Sequence, residues 1–347
     1  MSGELKSVLE DGPIEGEPLV SVCVITYNHG KYIRQCLDGI LMQKVNFPYE
    51  ILIHDDASPD DTADIIREYW EKYPTVIKPI LQTENQYSKI GFSVVRFNYD
   101  RAKAKYIAQC EGDDYWTDDG KMQMQVDFLE EHGEYVGTAH NVRVVDETNS
   151  DVGPKRNHYP LYPEHDYYYE DTERMLLPGQ SASIVCRNIF ENLSPEICDK
   201  YYSVPGIGDR KFIVLLTLHG KMHCFTEVMS VYRYITSSGT SWSAQKKDSS
   251  VLMFSYYIYM YQFVREEFER EWSIFSQLFL SLLGLMVRIL RNPTRINSNY
   301  LKHIFAIIVK EWLCLCMMIR YTILHPSNFL RQIVWLARHR GKISAVN

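Results

Sequence analysis

Residues 19–26 read LVSVCVIT, a short and nearly continuous run of apolar and β-branched side chains. Such a run is the pattern of a strand buried on both faces of a parallel sheet. Tyr27-Asn28-His29-Gly30 breaks it. From Lys31 to Gln43, Ile33, Leu37, Ile40 and Leu41 recur at helical spacing, and Glu50 to His54 (EILIH) forms a second apolar strand ending in Asp55-Asp56. Together these pieces make one βαβ unit. The alternation continues outward with a helix over Asp60–Tyr73, whose acidic first turn suits the positive end of the helix dipole. A strand over Val76–Gln82 and a helix over Phe92–Lys105 follow, then a strand over Tyr106–Cys110 that runs into Glu111-Gly112-Asp113-Asp114. Strands and helices in this order predict an α/β, doubly wound sheet with helices on both faces and ligands at the carboxyl ends of the strands.

Further on, the pattern predicts a helix over Lys121–His132, strands over Tyr135–Val145 and Ser181–Cys186, a helix over Asp209–His219 and a strand over Met222–Tyr234. Between them, Asn149–Pro178 is rich in Tyr, Pro and His with weak periodicity, the mark of a functional loop. After about residue 250 the texture becomes apolar and helical, over Ile274–Leu290, Tyr300–Leu324 and Phe329–Arg338. Arg288 ends the first of these runs and Lys310-Glu311 interrupts the second, so neither offers the roughly 20 apolar residues that a bilayer crossing needs. The expected organisation is a flexible segment over 1–17, a catalytic-type domain over 18–245, and a helical extension over 246–347.

The 347 residues are 46% hydrophobic and 23% charged, which excludes both a disordered chain and a polytopic membrane protein. A net charge of −7 argues against a nucleic-acid partner. The average conceals a split, because Arg288–Asn347 carries +9 and the residues before it −16. An acidic body with a basic, apolar tail is expected to lie in the cytosol and to touch an anionic membrane surface through that tail, the alternative being that the tail helices pack on the body. Glu4, Glu10, Asp11, Glu15 and Glu17 leave no apolar run for a secretory signal. Cys23, Cys110 and Cys186 lie in strand-like runs and read as reduced, buried thiols, and Cys314-x-Cys316 has the wrong spacing for zinc.

Two carboxylate pairs, Asp55-Asp56 and Asp113-Asp114, each end a buried strand, where topology brings neighbouring strand ends to one rim. Adjacent carboxylates repel one another, so a divalent cation or a ligand donor is their natural partner. The alternative is that they cap the helices that follow, and Ser58-Pro59-Asp60 supplies such capping chemistry beside the first pair.

These residues resemble a family. VSVCVITYN, IHDDASPDDT, CEGDDYW and the later Gly208-Asp209-Arg210 are similar, in order and spacing, to the motifs of the family 2 inverting glycosyltransferases of the GT-A fold, over roughly residues 18–242. The resemblance implies a GT-A nucleotide-binding domain that moves one sugar, with inversion, from a nucleotide-sugar to a glycan or lipid-linked acceptor in cell-surface polysaccharide synthesis. It implies that Thr26, Tyr27 and Asn28 contact the nucleoside and that Asp56 accepts a hydrogen bond from a uracil imide, favouring a UDP donor. Asp114 then ligates Mg²⁺ or Mn²⁺ on the diphosphate, with Asp113 on the ribose and Glu111 available to share the role. As a strand-end ligand, Asp114 is expected to matter to the site more than to the core. Asp209 matches the general base, an N-cap for its helix being the plainer alternative. Arg233 is expected to pair with phosphate oxygens, beside a loop at Ser237–Trp242. No Q-x-x-R-W is present, which disfavours a processive synthase, and His219 and His223 read as structural. Two other functions stay open on the residues alone: a sugar nucleotidyltransferase, although TYNHGK lacks the glycines and arginine of a triphosphate cradle, and a non-catalytic assembly protein.

Overall fold

The computed structural model describes residues 4–152, 161–174, 177–206, 208–235, 250–272, 274, 277, 278, 302, 305, 306, 308–327, 329, 330 and 334. The chain divides into two compact units. The first comprises residues 1–169, 177–193 and 212–245; the second gathers 170–176 and 194–211 with 246–347. The sequence pattern divides the chain after residues 17 and 245, whereas here 170–176 and 194–211 group with 246–347.

The first unit is built on one sheet. A short helix α1 (Val8–Asp11) precedes β1 (Val20–Thr26), α2 (Ile33–Leu41), β2 (Tyr49–Asp55), α3 (Thr62–Lys72) and β3 (Ile77–Leu81). Next come the brief α4 (Tyr87–Ile90) and α5 (Arg96–Tyr99), then β4 (Tyr106–Glu111), β5 (Tyr115–Trp116), α6 (Lys121–Glu131), β6 (Tyr135–Val145), β7 (His165–Tyr167), β8 (Val185–Arg187) and β9 (Lys221–Arg233). The strand order is β3-β2-β1-β4-β8-β6-β9-β5, with β7 on β9. β1 to β4 are parallel, and the antiparallel β8 then makes the sheet mixed. Val22, Val24, Ile51 and Ile53 are fully buried, and Ile33, Leu37 and Ile40 of α2 join them in one core. The helix expected over Phe92–Lys105 is broken into a 3-10 turn at Gly91–Val95 and α5. At Ser181–Cys186, Gln180 caps a 3-10 turn over Ser181–Ser183 by accepting the Ala182 N–H, which delays the strand to Val185.

One interior cation stands out. Lys121 opens α6 with no exposed surface, its ammonium 4.0 Å over the Trp116 ring and without a hydrogen-bond partner among the described residues. Burial pushes its pKa from 10.5 down to about 7. A lysine lowered in the folded state costs stability while it is charged, so wild-type stability is expected to rise as pH climbs from about 7 toward 10.5. Lys121→Met keeps the stem and removes the charge. The variant is expected to be more stable at pH 6 by on the order of 3–5 kcal/mol, with the advantage shrinking by pH 9. Urea unfolding at the two pH values measures this, and equal stability of both proteins at pH 6 would refute it.

The second unit is helical in its described parts: α7 (Pro195–Ser203), the first residues of α8 (Gly208–Thr217), α9 (Ser250–Phe268) and α10 (Trp312–Leu324). Ser194 caps α7 by accepting the Ile197 N–H, with Pro195 placed where its missing N–H costs nothing. Tyr201 of α7 packs 5.9 Å from Phe263 of α9, and the buried Trp272 donates to Thr172 Oγ1 at 3.0 Å. α10 turns Cys314, Leu315 and Met318 inward. Much of Ile274–Leu290, the start of Tyr300–Leu324 and most of Phe329–Arg338 lie outside the described residues. No helix among the described residues is long and apolar enough to cross a membrane.

Candidate functional site

The register of the parallel strands makes their carboxyl ends level. Thr26 lies opposite Asp55, and Ile25 opposite Glu111, so the segments after β1, β2 and β4 leave one rim. Two of them are strapped together. The N–H groups of Asn28, His29 and Gly30 donate to Ser58 Oγ (2.8 Å), Thr62 Oγ1 (2.9 Å) and Asp60 Oδ2 (2.8 Å). Asn28 and Ala57 sit at φ 60° and 61°, left-handed positions where non-glycine residues are uncommon and which tend to mark functional turns. Asp55 anchors its own loop by accepting the Ser58 N–H at 3.2 Å. Asp56 is 3% exposed, and its two oxygens accept the N–H groups of Gln86 (2.6 Å) and Tyr87 (2.8 Å). The capping alternative therefore has a real counterpart at Asp56, on α4 rather than on the helix next in sequence.

Gly112 explains how β1 and β4 deliver their ends so close together. A Cβ there would fall 2.6 Å from Thr26 Oγ1 and 3.0 Å from His29 Nδ1. Those two buried atoms have no hydrogen-bond partner among the described residues. The His29 Nε2 lies 3.6 Å from Asp113 Oδ2. Glu111, Asp113 and Asp114 each present a carboxylate oxygen within 4.8 Å of the others. Asp114 is the deepest, at 1% exposure, and accepts from the Arg233 N–H (2.8 Å) and Gln180 Nε2 (2.6 Å). Burial, then the charges of Asp113 and Glu111, raise its pKa well above 3.8. Ser181 Oγ donates to Glu111 at 3.2 Å. Three carboxylates held this close without a cation repel one another, so the donor set fits a hard divalent ion.

Arg233 corrects an expectation. Rather than offering its guanidinium to a phosphate, it is 2% exposed and spends its donors inside the protein. Nε bonds Asp113 O (2.9 Å), Nη1 bonds Asn149 Oδ1 (2.6 Å) and Asp146 O (3.3 Å), and Nη2 bonds Gln35 Oε1 (2.9 Å). It also lies 4.4 Å from the Tyr32 ring centre. A group so fully engaged ties β9 to α2 and to the acidic segment. The neighbouring Ser237–Trp242 loop lies outside the described residues. His223 meets Asp166 (3.0 Å) and Glu164 (3.5 Å), and His219 meets Leu215 O (2.9 Å), so both have local partners.

In the second unit, Asp209 stands in the first turn of α8, one residue after the helix begins. It is half-buried by exposure, yet its carboxyl is surrounded closely enough that burial raises its pKa, against the opposing charge of Arg210. Its Oδ1 accepts the Arg210 N–H at 2.7 Å. Gln180, Ser181, Gln35 and Tyr32 carry no motif in the sequence and were invisible there. Only the fold brings them to the strand ends.

With this arrangement in place, the sequence profile of Glycosyl transferase family 2 matches residues 21–194, half of the chain. The chain belongs to that family, and its sheet has the GT-A type of fold. It is similar to the uncharacterized protein Rv1520 of Mycobacterium tuberculosis, 42% identical over 141 residues, which are 41% of this chain and 39% of that one. It is also similar to the putative teichuronic acid biosynthesis glycosyltransferase TuaG of Bacillus subtilis, 35% identical over 116 residues, 33% of this chain and 43% of that one. The matched stretch thus spans less than half the length of either relative. Among solved structures, S. aureus TarS 1-349 in complex with UDP-GlcNAc is 16% identical, with 76% of this chain and 79% of that chain covered and a TM-score of 0.49.

Proposed function

We propose that the chain transfers a single sugar, with inversion and metal assistance, from a UDP-sugar to a glycan or lipid-linked acceptor in cell-surface polysaccharide synthesis. The observation that carries this reading is the Glu111, Asp113 and Asp114 cluster at the end of β4, where Gly112 lets the segment after β1 come close. Asp114, with Asp113 and Glu111 beside it, would hold Mg²⁺ or Mn²⁺, which neutralises diphosphate charge when bound. Thr26, Tyr27 and Asn28 face the nucleoside, and Thr26 Oγ1 has no hydrogen-bond partner among the described residues. Asp56 keeps a second lone pair on each oxygen for a base imide. Asp209 takes the proton from the acceptor hydroxyl as the new bond to the anomeric carbon forms and the bond to the nucleoside diphosphate breaks. The raised pKa of its carboxyl favours that acceptance. TuaG, named for teichuronic acid biosynthesis, supports a polysaccharide product. Transfer and hydrolysis assays with UDP-, GDP- and CMP-sugars, with and without Mn²⁺, test the reading. Equal rates across donors, or no response to Mn²⁺, would overturn the corresponding part.

The same reading places the protein on the cytosolic face of a membrane. Phe305, Val309, Trp312, Leu313, Ile323 and Leu324 are 58–77% exposed, interspersed with the exposed Lys302, Lys310 and Arg320. Apolar groups with cations and few acids suit an anionic lipid surface, where each basic residue contributes about 1 kcal/mol. Changing both Trp312 and Leu313 to Ser leaves the buried face of α10 untouched. It is expected to weaken co-sedimentation with anionic vesicles roughly ten- to hundredfold. Unchanged partition, or equal binding to neutral vesicles, would remove the membrane from the account.

A further inference from the structure

Resting on the assignment of Asp209 as general base, we propose that Tyr256 of α9 is a positioning residue for it: the ring is seated against Gly206, three residues before Asp209, and the hydroxyl donates to the Asp209 carboxylate when acceptor binds.

Two independent observations carry this. Gly206 adopts φ 137°, a conformation that L side chains rarely reach, and a Cβ at that position would lie 2.6 Å from Tyr256 Cδ2 and 3.0 Å from its Cβ and Cγ. The aromatic ring is therefore seated against the backbone that leads into Asp209, and the glycine is what permits the seat. The second observation is the hydroxyl. Tyr256 is 1% exposed, and its OH has no hydrogen-bond partner among the described residues. A buried hydroxyl left unpaired is costly, and phenylalanine would fill the same space without that cost. Retaining the oxygen makes physical sense if it acquires a partner during the reaction.

The surroundings show which partner. Asp209 and Arg210 both act electrostatically on the Tyr256 phenol, whose burial holds it protonated, and so a donor, at any working pH. Among the described residues, the charged and titratable groups linked electrostatically to Asp209 or to Tyr256 include Arg210 on the Asp209 helix, Tyr201 on α7 and Tyr257 on α9. Lys211, nearby, is occupied by the carbonyls of Tyr201 (3.5 Å) and Val204 (3.2 Å). Within this group the Tyr256 hydroxyl is the buried side-chain donor left without a hydrogen-bond partner among the described residues. Donation to a carboxylate stabilises its charged form, which is the form a base must hold before it accepts a proton.

Tyr256→Phe tests the proposal without disturbing the packing. The variant is expected to melt no lower than wild type and to keep its donor KM. Its kcat should fall roughly ten- to hundredfold, the worth of one hydrogen bond to a charged group. The acidic limb of its pH–rate profile should move to higher pH, so that part of the loss is recovered as pH rises. In an Asp209→Asn background the second change should add nothing, because the tyrosine acts through the carboxylate. Wild-type kcat and pH profile in Tyr256→Phe would reduce the residue to packing and overturn the inference, while an inactive Asp209→Asn would leave the base assignment standing. Full turnover by Asp209→Asn would instead remove the base assignment, and the inference with it.

Discussion

Asp209→Asn is expected to slow sugar transfer by roughly 10² to 10⁴ while donor affinity stays within a few-fold of wild type, the usual worth of a general base. The amide has the shape of the carboxylate and can still accept the Arg210 N–H that Oδ1 receives at 2.7 Å, so the first turn of α8 keeps its local bonding. What the amide lacks is a basic oxygen. Asp209 carries a raised pKa because burial opposes its charge, and Arg210 holds part of that rise in check. A carboxyl raised in the folded state weakens stability as pH climbs from 3.8 through its folded value. Asp209→Asn removes that loss, so the variant should be at least as stable as wild type at pH 7. A slow variant with an unchanged or higher melting temperature separates chemistry from folding. Wild-type turnover would show that some other group takes the proton.

The parts of this molecule that could be read from sequence are those in which local pattern and fold agree. LVSVCVIT and EILIH are strands within a residue of their expected bounds, because a strand covered on both faces needs an unbroken apolar run. The acidic cluster was legible for a similar reason: Glu111, Asp113 and Asp114 are sequence neighbours at a strand end, so finding the strand found the cluster. Where side chains compete with the backbone, the pattern misled. Gln180 bonds the Ala182 N–H and turns Ser181–Ser183 into a 3-10 turn that apolar spacing alone would have made a strand.

Arg233 was expected to be a phosphate partner because the family resemblance places a partly basic loop touching the diphosphate at that point of the chain. Its true partners, Gln35, Asp146 and Asn149, lie 198, 87 and 84 residues away, and no local pattern points to them. Tyr256 is a parallel case. Nothing in an apolar helix singles out one tyrosine among several, whereas the positive-φ Gly206 beneath its ring does. Contacts of long sequence separation are the ones that decide orientation within a site, and composition carries no trace of them.

Asp114→Ala is expected to abolish Mn²⁺-stimulated transfer and also to cost stability, which departs from the simple view of a strand-end ligand that the core can spare. Asp114 is 1% exposed, and its removal strands two buried donors, the Arg233 N–H and Gln180 Nε2. Each unpaired donor costs about 1–3 kcal/mol, partly offset because the raised carboxyl is itself a burden when charged. Asp114→Asn is the sharper test, since it preserves volume and one acceptor while removing the charge. For wild type, a carboxyl raised by burial and by Asp113 and Glu111 loses stability as pH climbs above 3.8, and a bound cation relieves that loss. Mn²⁺ should therefore raise the wild-type melting temperature, with about 2.7 kcal/mol gained at a hundred times Kd. In Asp114→Asn the shift should largely vanish, together with the Mn²⁺-dependent rate. Thermal melts and transfer assays on the same samples decide it: a full Mn²⁺ shift with undiminished Mn²⁺-dependent transfer would assign the ion to Glu111 and Asp113 without Asp114.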